Sequence, residues 1–392
     1  MKVIHFITDD KFLNSAIELF EDIEELDNRY INIIFDKDEP FQYITSNQVE
    51  RKQISDIYEM ITNPDLCDVI VLHNLASLPC QLIKEVNAKI KVVWFSWGFD
   101  IYENKKPQVP LIPLKHQIKP KTISLRYRLR LLNEGRRTYF KRLKVNDSHG
   151  RQDFIDAIHR VDYYSGVFPI EWDYLKKNSF FRAKQITFIY PPRIEYKSFD
   201  ILYKNIFPKG NTIQVSHSAT VLGNHRNTFW RLRHLDLKNR KILVPLSYGG
   251  DSLYRASVCK MGKRLFGDNF IPITAFMEYD KYVALTESVS VAIHNTVRQI
   301  AVGNIYINLW NGAKVFLPED SINYKFFTKA GFHVFSIEKD LNQEEIDTPL
   351  SQEEIISNRK LIFQYNTYKM AKEKTINSFR QIANDISSSP IL

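Results

Sequence analysis

The residues best suited to chemistry in this chain gather in a few short strings between apolar runs. Ser216, His217, Ser218, Ala219 and Thr220 form a small, hydroxyl-rich turn that lets backbone and side chains approach an anion, and it leads to Asn224 and His225 at a helix start. Farther on, Asn295, Thr296, Val297, Arg298 and Gln299 run toward Val302, Gly303 and Asn304 at the head of another helix. That joins a guanidinium to a helix N-terminus, two devices that stabilise a diphosphate. Between them Met277, Glu278, Tyr279 and Asp280 set a carboxylate and an aromatic ring at a strand end. Glu278 would accept from ribose hydroxyls and Tyr279 would stack on a base. Each string also has a plain structural reading: a strand-to-helix turn, a packing glycine at Gly303, a surface ion pair worth little for Arg298, and helix-start acids at Glu278 and Asp280.

In the first half the most unusual string is Trp94, Phe95, Ser96, Trp97, Gly98, Phe99, Asp100, Ile101, Tyr102, Glu103. A strand ending at a glycine turn presents Asp100 between aromatics, the composition of a sugar-facing site with a general base. The alternative is that Asp100 caps the next helix and the tryptophans are core. His73, after the run 68–72, is a second candidate at the same edge, and Asp9 with Asp10 a third; a structural histidine and a helix cap are their alternatives.

Other chemistries are excluded by missing spacings. No GxGxxG follows a strand, and Thr8, Asp9 and Asp10 put acid where a pyrophosphate needs bare amides, which argues against a nicotinamide enzyme. Neither GxxxxGK[ST] nor GxSxG occurs, so kinase and serine hydrolase readings fall as well.

The elements that must position these strings alternate regularly. Residues 2–8, 30–35, 68–72 and 91–97 read as strands and residues 14–26 and 49–61 as helices. A less regular portion follows, with a helix near 152–160 and strands near 162–167 and 185–190, the last stopped by Pro191 and Pro192. Alternation then resumes, with strands at 212–215, 241–246, 270–274, 290–294 and 314–317 and helices near 224–235, 252–266, 280–287 and 303–310. Such alternation predicts two successive doubly wound α/β domains, 1–200 and 201–352, whose strand ends face a cleft. A helical tail, 353–392, would fold back over the first domain.

The chain has 392 residues, 44% of them hydrophobic and 25% charged, enough for two cores of ordinary globular composition. No apolar run approaches the length of a membrane span. The N-terminus reads as a first strand, which predicts a cytoplasmic protein. Three widely spaced cysteines, Cys67, Cys80 and Cys259, suit neither a disulfide framework nor a zinc site. Net charge is +9, and residues 115–144 account for it, with eleven basic residues against Glu134 alone. Among them Arg126, Arg128, Arg130, Arg136, Arg137, Lys141 and Arg142 alternate with Leu125, Leu129, Leu132, Tyr139, Phe140 and Leu143. This predicts a basic amphipathic helix suited to an anionic membrane surface, each cation contributing about 1 kcal/mol there. A solvated helix with no partner is the plain alternative. No nucleic-acid reading module accompanies the charge, so no nucleic-acid partner is expected.

At these strings the sequence resembles the bacterial 4-acetamido-4,6-dideoxygalactosyltransferases of enterobacterial common antigen synthesis, the 4-alpha-L-fucosyltransferase family. The matching residues are Trp97, Gly98, Asp100, Tyr102 and Glu103; the stretch from Ser218 to His225; Val244, Pro245 and Tyr248; Glu278, Tyr279, Asp280 and Tyr282; and Arg298, Gln299, Gly303, Gly312 and Ala313. The chain departs from the family's pattern at His217, Thr220 and residues 300–303. The resemblance implies a GT-B glycosyltransferase with a nucleotide-diphosphate sugar donor, dTDP- or UDP-linked, and a polyprenyl-diphosphate-linked saccharide acceptor at the cytoplasmic face of the inner membrane. On this reading Ser216, Ser218, His225, Tyr248, Glu278, Tyr279, Arg298, Gln299, Gly303 and Asn304 hold the donor, Asp100 or His73 serves catalysis, and neither a metal nor a cofactor is used. A nucleotide-sugar epimerase, or a non-catalytic membrane- or nucleic-acid-binding protein, are the competing readings.

Overall fold

A computed structural model describes residues 1–34, 40–102, 111–124, 127–130, 148–192 and 202–388. The chain forms two compact units. One is built from residues 1–113, 146–195 and 366–392, the other from 114–145 and 196–365.

The first unit holds a parallel sheet of strands β1 (Lys2–Ile7), β2 (Asp27–Ile34), β3 (Val49–Gln53), β4 (Val69–Leu72), β5 (Lys91–Phe95), β6 (Tyr163–Ser165) and β7 (Lys184–Gln185), in the order β3-β2-β1-β4-β5-β6-β7. β1 pairs with both β2 and β4, so strand order reverses at its C-terminal end. β4 is buried at every position, as expected of a strand covered by helices on both faces. The core gathers Val3, Phe20, Val71, Phe95 and Phe188, and the helix Tyr368–Ser387 adds Ala371, Phe379 and Ile382 to it.

The second unit repeats the plan with β8 (Thr212–Val215), β9 (Ile242–Pro245), β10 (Phe270–Ile273), β11 (Val289–Ile293), β12 (Lys314–Leu317) and β13 (Phe335–Ser336). Its order is β10-β9-β8-β11-β12-β13, again all parallel, with the reversal between β8 and β11. The two sheets and the helical C-terminus make this the GT-B fold class.

Four expectations are corrected. Residues 49–61 are not one helix: Val49–Gln53 pairs with β2 as an edge strand, and the helix covers only Ile57–Thr62. The charged residues Glu50, Arg51 and Lys52 mimic a polar helix face but are what keeps an exposed edge from pairing further. The strand expected at 185–190 shrinks to Lys184–Gln185. The tail is two helices, Gln352–Tyr365 in the second unit and Tyr368–Ser387 in the first, separated where Thr367 caps the latter by accepting from Met370 N at 3.3 Å. Finally, residues 114–145 group with the second unit, not the first. Asn224 ties them there, its Oδ1 accepting from Lys119 N at 2.8 Å and from the Thr122 hydroxyl at 2.6 Å. Of the basic helix expected here, Arg126, Arg136, Arg137, Lys141 and Arg142 lie outside the described residues, while Arg128 and Arg130 are exposed.

Candidate functional site

In a doubly wound sheet the loops leaving the two strands at the reversal frame a crevice where ligands bind. In the second unit these are residues 216–224 after β8 and 294–301 after β11. Ser216 N donates to Ile293 O at 2.9 Å, fastening one loop to the neighbouring strand. Three residues other than glycine adopt left-handed backbone there: Ser216 at φ 61°, Asn224 at φ 50° and Ala301 at φ 67°. Such conformations cost on the order of 1 kcal/mol each and concentrate at functional sites. Ala301 immediately precedes the helix Val302–Trp310, whose first amides point out of the turn. Gly303 is exposed, and a Cβ added there would meet nothing within 4 Å. Arg298 and Gln299 are partly exposed on the same loop, as is Asn304 at the helix start.

The loop after β9 closes on the first loop. Ala219 N donates to Tyr248 O at 2.8 Å, and Gly250, at φ 69°, lies so close that a Cβ would overlap Ala219 O. Tyr248 is exposed, its ring edge-on to His217. Ser218 Oγ lies 3.2 Å from His217 Nε2 and is nearly buried.

Two expected donor ligands are turned inward. Ser216 Oγ is fully buried, so close to Gly223 that no Cβ fits there. His225 is buried with Nδ1 3.2 Å from Tyr254 OH, and burial pushes its imidazole down to about 3. Both shape the loop from beneath. Glu278 is exposed and directly precedes the helix Tyr279–Thr286, with Tyr279 partly buried.

Sequence reasoning missed a polar floor. Gln214 donates through Nε2 to Ser216 O at 3.0 Å and to Tyr282 OH at 3.2 Å, and Tyr282 donates to Asn304 Oδ1. This chain links β8, the helix Tyr279–Thr286 and the start of the helix Val302–Trp310. At the end of β11 the buried His294 accepts from Asn308 Nδ2 at 3.1 Å, and burial holds it neutral, down to about 3. The available signal was a glutamine inside an otherwise apolar strand.

In the first unit the loops at the reversal follow β1 and β4, and Asn74 Nδ2 joins them by donating to Thr8 Oγ1 at 2.8 Å. His73 is buried, 3.1 Å from His5 Nδ1 through Nε2 and 2.9 Å from Tyr190 OH through Nδ1. Desolvation, and the neighbouring His5, drive its pKa well below the ordinary value. Asp100 is also fully buried, accepting from Leu75 N at 2.8 Å, Trp94 Nε1 at 3.1 Å and Trp97 N at 3.1 Å. Burial pushes it up to about 7 against those donors. Both side chains are buried and hydrogen-bonded to the segments around the strand ends. Asp9 is engaged similarly, accepting from the amides of Gln42, Tyr43 and Ile44. Asp10 keeps partial exposure, accepts from Phe12 N at 3.2 Å, and has a pKa raised mainly by burial. The sequence also contains one Asp-x-Asp triplet, Asp36-Lys37-Asp38, which the metal-free expectation passed over and which lies outside the described residues.

No family model and no curated protein matches the chain. Among solved structures it is similar to the N-terminal domain of trehalose-6-phosphate phosphatase from Candida albicans, at 10% identity and TM-score 0.60, covering 97% of each chain. A glycosyltransferase from Rickettsia africae aligns at 10% identity and TM-score 0.58 over 98% of this chain and 99% of that one. HepE from Anabaena, solved in complex with UDP, aligns at 10% identity and TM-score 0.54 over 99% of both. At such identities the likeness establishes the fold that the two sheets display.

Proposed function

We propose that the protein is a glycosyltransferase that takes a sugar from a nucleotide-diphosphate donor. The observation that carries this reading is the crevice of the second unit, where Arg298 and the N-terminus of the helix Val302–Trp310 meet left-handed loops at the reversal of strand order. As the glycosidic bond to the donor phosphate breaks, charge develops on the leaving diphosphate, and a guanidinium with a helix N-terminus stabilises it. Ser218 and Tyr248 line the adjoining loops, and Glu278 and Tyr279 serve the nucleoside. The shared fold with glycosyltransferases, one of them holding UDP, supports the same reading.

The first unit's part is acceptor activation. Of the acids considered, Asp10 retains the exposure and the raised pKa a general base needs, whereas Asp100 and His73 act by positioning. The resemblance in the sequence supports a dTDP-linked 4-acetamido-4,6-dideoxygalactose-like donor and a polyprenyl-diphosphate-linked acceptor. The basic stretch 115–144 supports docking at the cytoplasmic face of the inner membrane. No helix among the described residues is long and apolar enough to cross a membrane.

The test is thermal stabilisation by dTDP, UDP, GDP and ADP. A ligand at about a hundred times its Kd stabilises the folded state by about 2.7 kcal/mol. A shift with dTDP or UDP that Arg298→Ala removes is expected; no shift with any of the four overturns the donor site.

A further inference from the structure

Away from the crevice, the second unit has a cavity of about 380 Å³ beside the helix Ser252–Phe266. Tyr127, Leu253 and Met261 give it apolar walls, and Arg226, Lys260 and Arg264 stand around it. None of these three cations forms an ion pair among the described residues. Lys260 and Arg264 are one helical turn apart, a spacing at which like charges repel. Arg226 Nε is buried without a hydrogen-bond partner, and burial together with Arg264 lowers the Arg226 pKa. Arg226 Nη1 donates to Ser257 O at 3.4 Å while Lys260 and Arg264 are exposed, so a bound anion would meet the buried Nε and two solvated cations around one cavity.

The walls indicate which anion. A free phosphate is best held by donors on every side, whereas here the two hydroxyls of the lining are engaged locally, Ser124 Oγ accepting from Tyr127 N and Ser257 Oγ donating to Tyr254 O, and Tyr127, Leu253, Ala256 and Met261 give the rest of the non-cationic lining. Leu253 is 40% exposed, and the segment that supplies Tyr127 continues into Arg128, Leu129 and Arg130, where Leu129 is 53% exposed between two exposed cations. Apolar surface flanked by cations matches the boundary between headgroup and acyl chain. We propose that this cavity seats the phosphate headgroup of an anionic phospholipid at the membrane surface. The inference rests on the membrane-docking part of the proposed function and is independent of the donor site.

The experiment is co-sedimentation of the full chain with phosphatidylcholine vesicles with and without phosphatidylglycerol. Binding is expected only with phosphatidylglycerol, weakened about tenfold or more in Lys260→Gln/Arg264→Gln. Ala256→Trp, at an exposed position lining the cavity, fills the space without altering charge and is expected to weaken binding comparably. Unchanged binding by the charge variant overturns the proposal. Unchanged binding by Ala256→Trp does so too, since the cations would then act without the cavity. Displacement by inorganic phosphate at matched phosphate concentration would assign the cavity to a soluble anion and also overturn it. Thermal stabilisation by nucleotide diphosphates, measured on the same variants, is expected to stay as in the parent. Its absence in the parent as well would refute the donor site and leave the lipid result standing.

Discussion

Asn224 shows how much one side chain can organise. It is fully buried at φ 50°, a conformation asparagine tolerates better than most residues. Its Oδ1 takes two donors from residues 119 and 122, while its Nδ2 faces the carbonyls of Gln117, Leu222 and Asn295 at 2.8 to 3.1 Å. One amide thus links the loops after β8 and β11 to the segment 117–122. Asn224→Ala leaves several buried groups unpaired and is expected to cost about 3 kcal/mol, read as a lower unfolding midpoint, with a matching loss of nucleotide stabilisation. Asp100 is a second case. Because both carboxylate oxygens accept N–H groups, Asp100→Asn must turn an amide N–H₂ toward a donor. It is expected to destabilise the protein by about 2 kcal/mol. Asp10→Asn is expected to leave the unfolding midpoint nearly unchanged while lowering turnover by about a hundredfold. Equal turnover by Asp10→Asn and the parent would remove Asp10 as the base.

At the scale of elements, the final helix is integral to the first unit. Tyr163 OH donates to Asp385 at 2.5 Å, Ser378 Oγ accepts from Thr187 N at 3.0 Å, and Lys372 pairs with Asp22 at 2.6 Å. Its apolar face contributes Phe379, packed edge-on to Phe20 at 5.5 Å. Phe379→Ala is expected to cost about 3 to 5 kcal/mol in the unfolding of the first unit and to spare nucleotide stabilisation, which the proposed donor site assigns to the second. Helix periodicity in residues 353–386 was legible in the sequence, but the break at Thr367 was not. A threonine after a helix and before another pattern has the local signature of any polar residue until its hydroxyl is seen to cap Met370 N.

Across the whole molecule, the chain crosses between the two units four times, and each unit buries titratable groups of its own. In the first, Asp100 and Glu171 are both buried and both pushed up to about 7 by desolvation. Glu171 accepts from Tyr102 OH at 2.5 Å and from Phe168 N at 2.9 Å. An acid whose folded pKa exceeds its unfolded value near 4 binds a proton on folding between those limits. Its contribution is therefore full below pH 4 and is lost as pH rises through 7. Glu171→Gln is expected to flatten the fall in first-unit stability between pH 5 and 7.5, measured by denaturant unfolding at each pH. An unchanged slope would show that Glu171 is already ionised across that range.

The sequence by itself determined the strands and most of the helices, because apolar alternation and helical period are properties of neighbouring residues and are written where they act. It also marked the strand-end strings around Ser218, Glu278 and Arg298, since small, hydroxyl and cationic residues stand out against apolar runs. Only the tertiary structure decided which strands are neighbours, and so which two loops frame the crevice. Strand order depends on contacts between residues far apart in the chain, as in Gln214 with Tyr282 and Tyr282 with Asn304. It likewise decided which way each polar side chain turns. Ser216, Asp100 and His73 follow strands and His225 opens a helix as the sequence indicated, yet packing on their far sides buries all four. The cations Arg226, Lys260 and Arg264 passed unnoticed for the same reason, being ordinary on their own helices and unusual only once the fold sets them around one cavity.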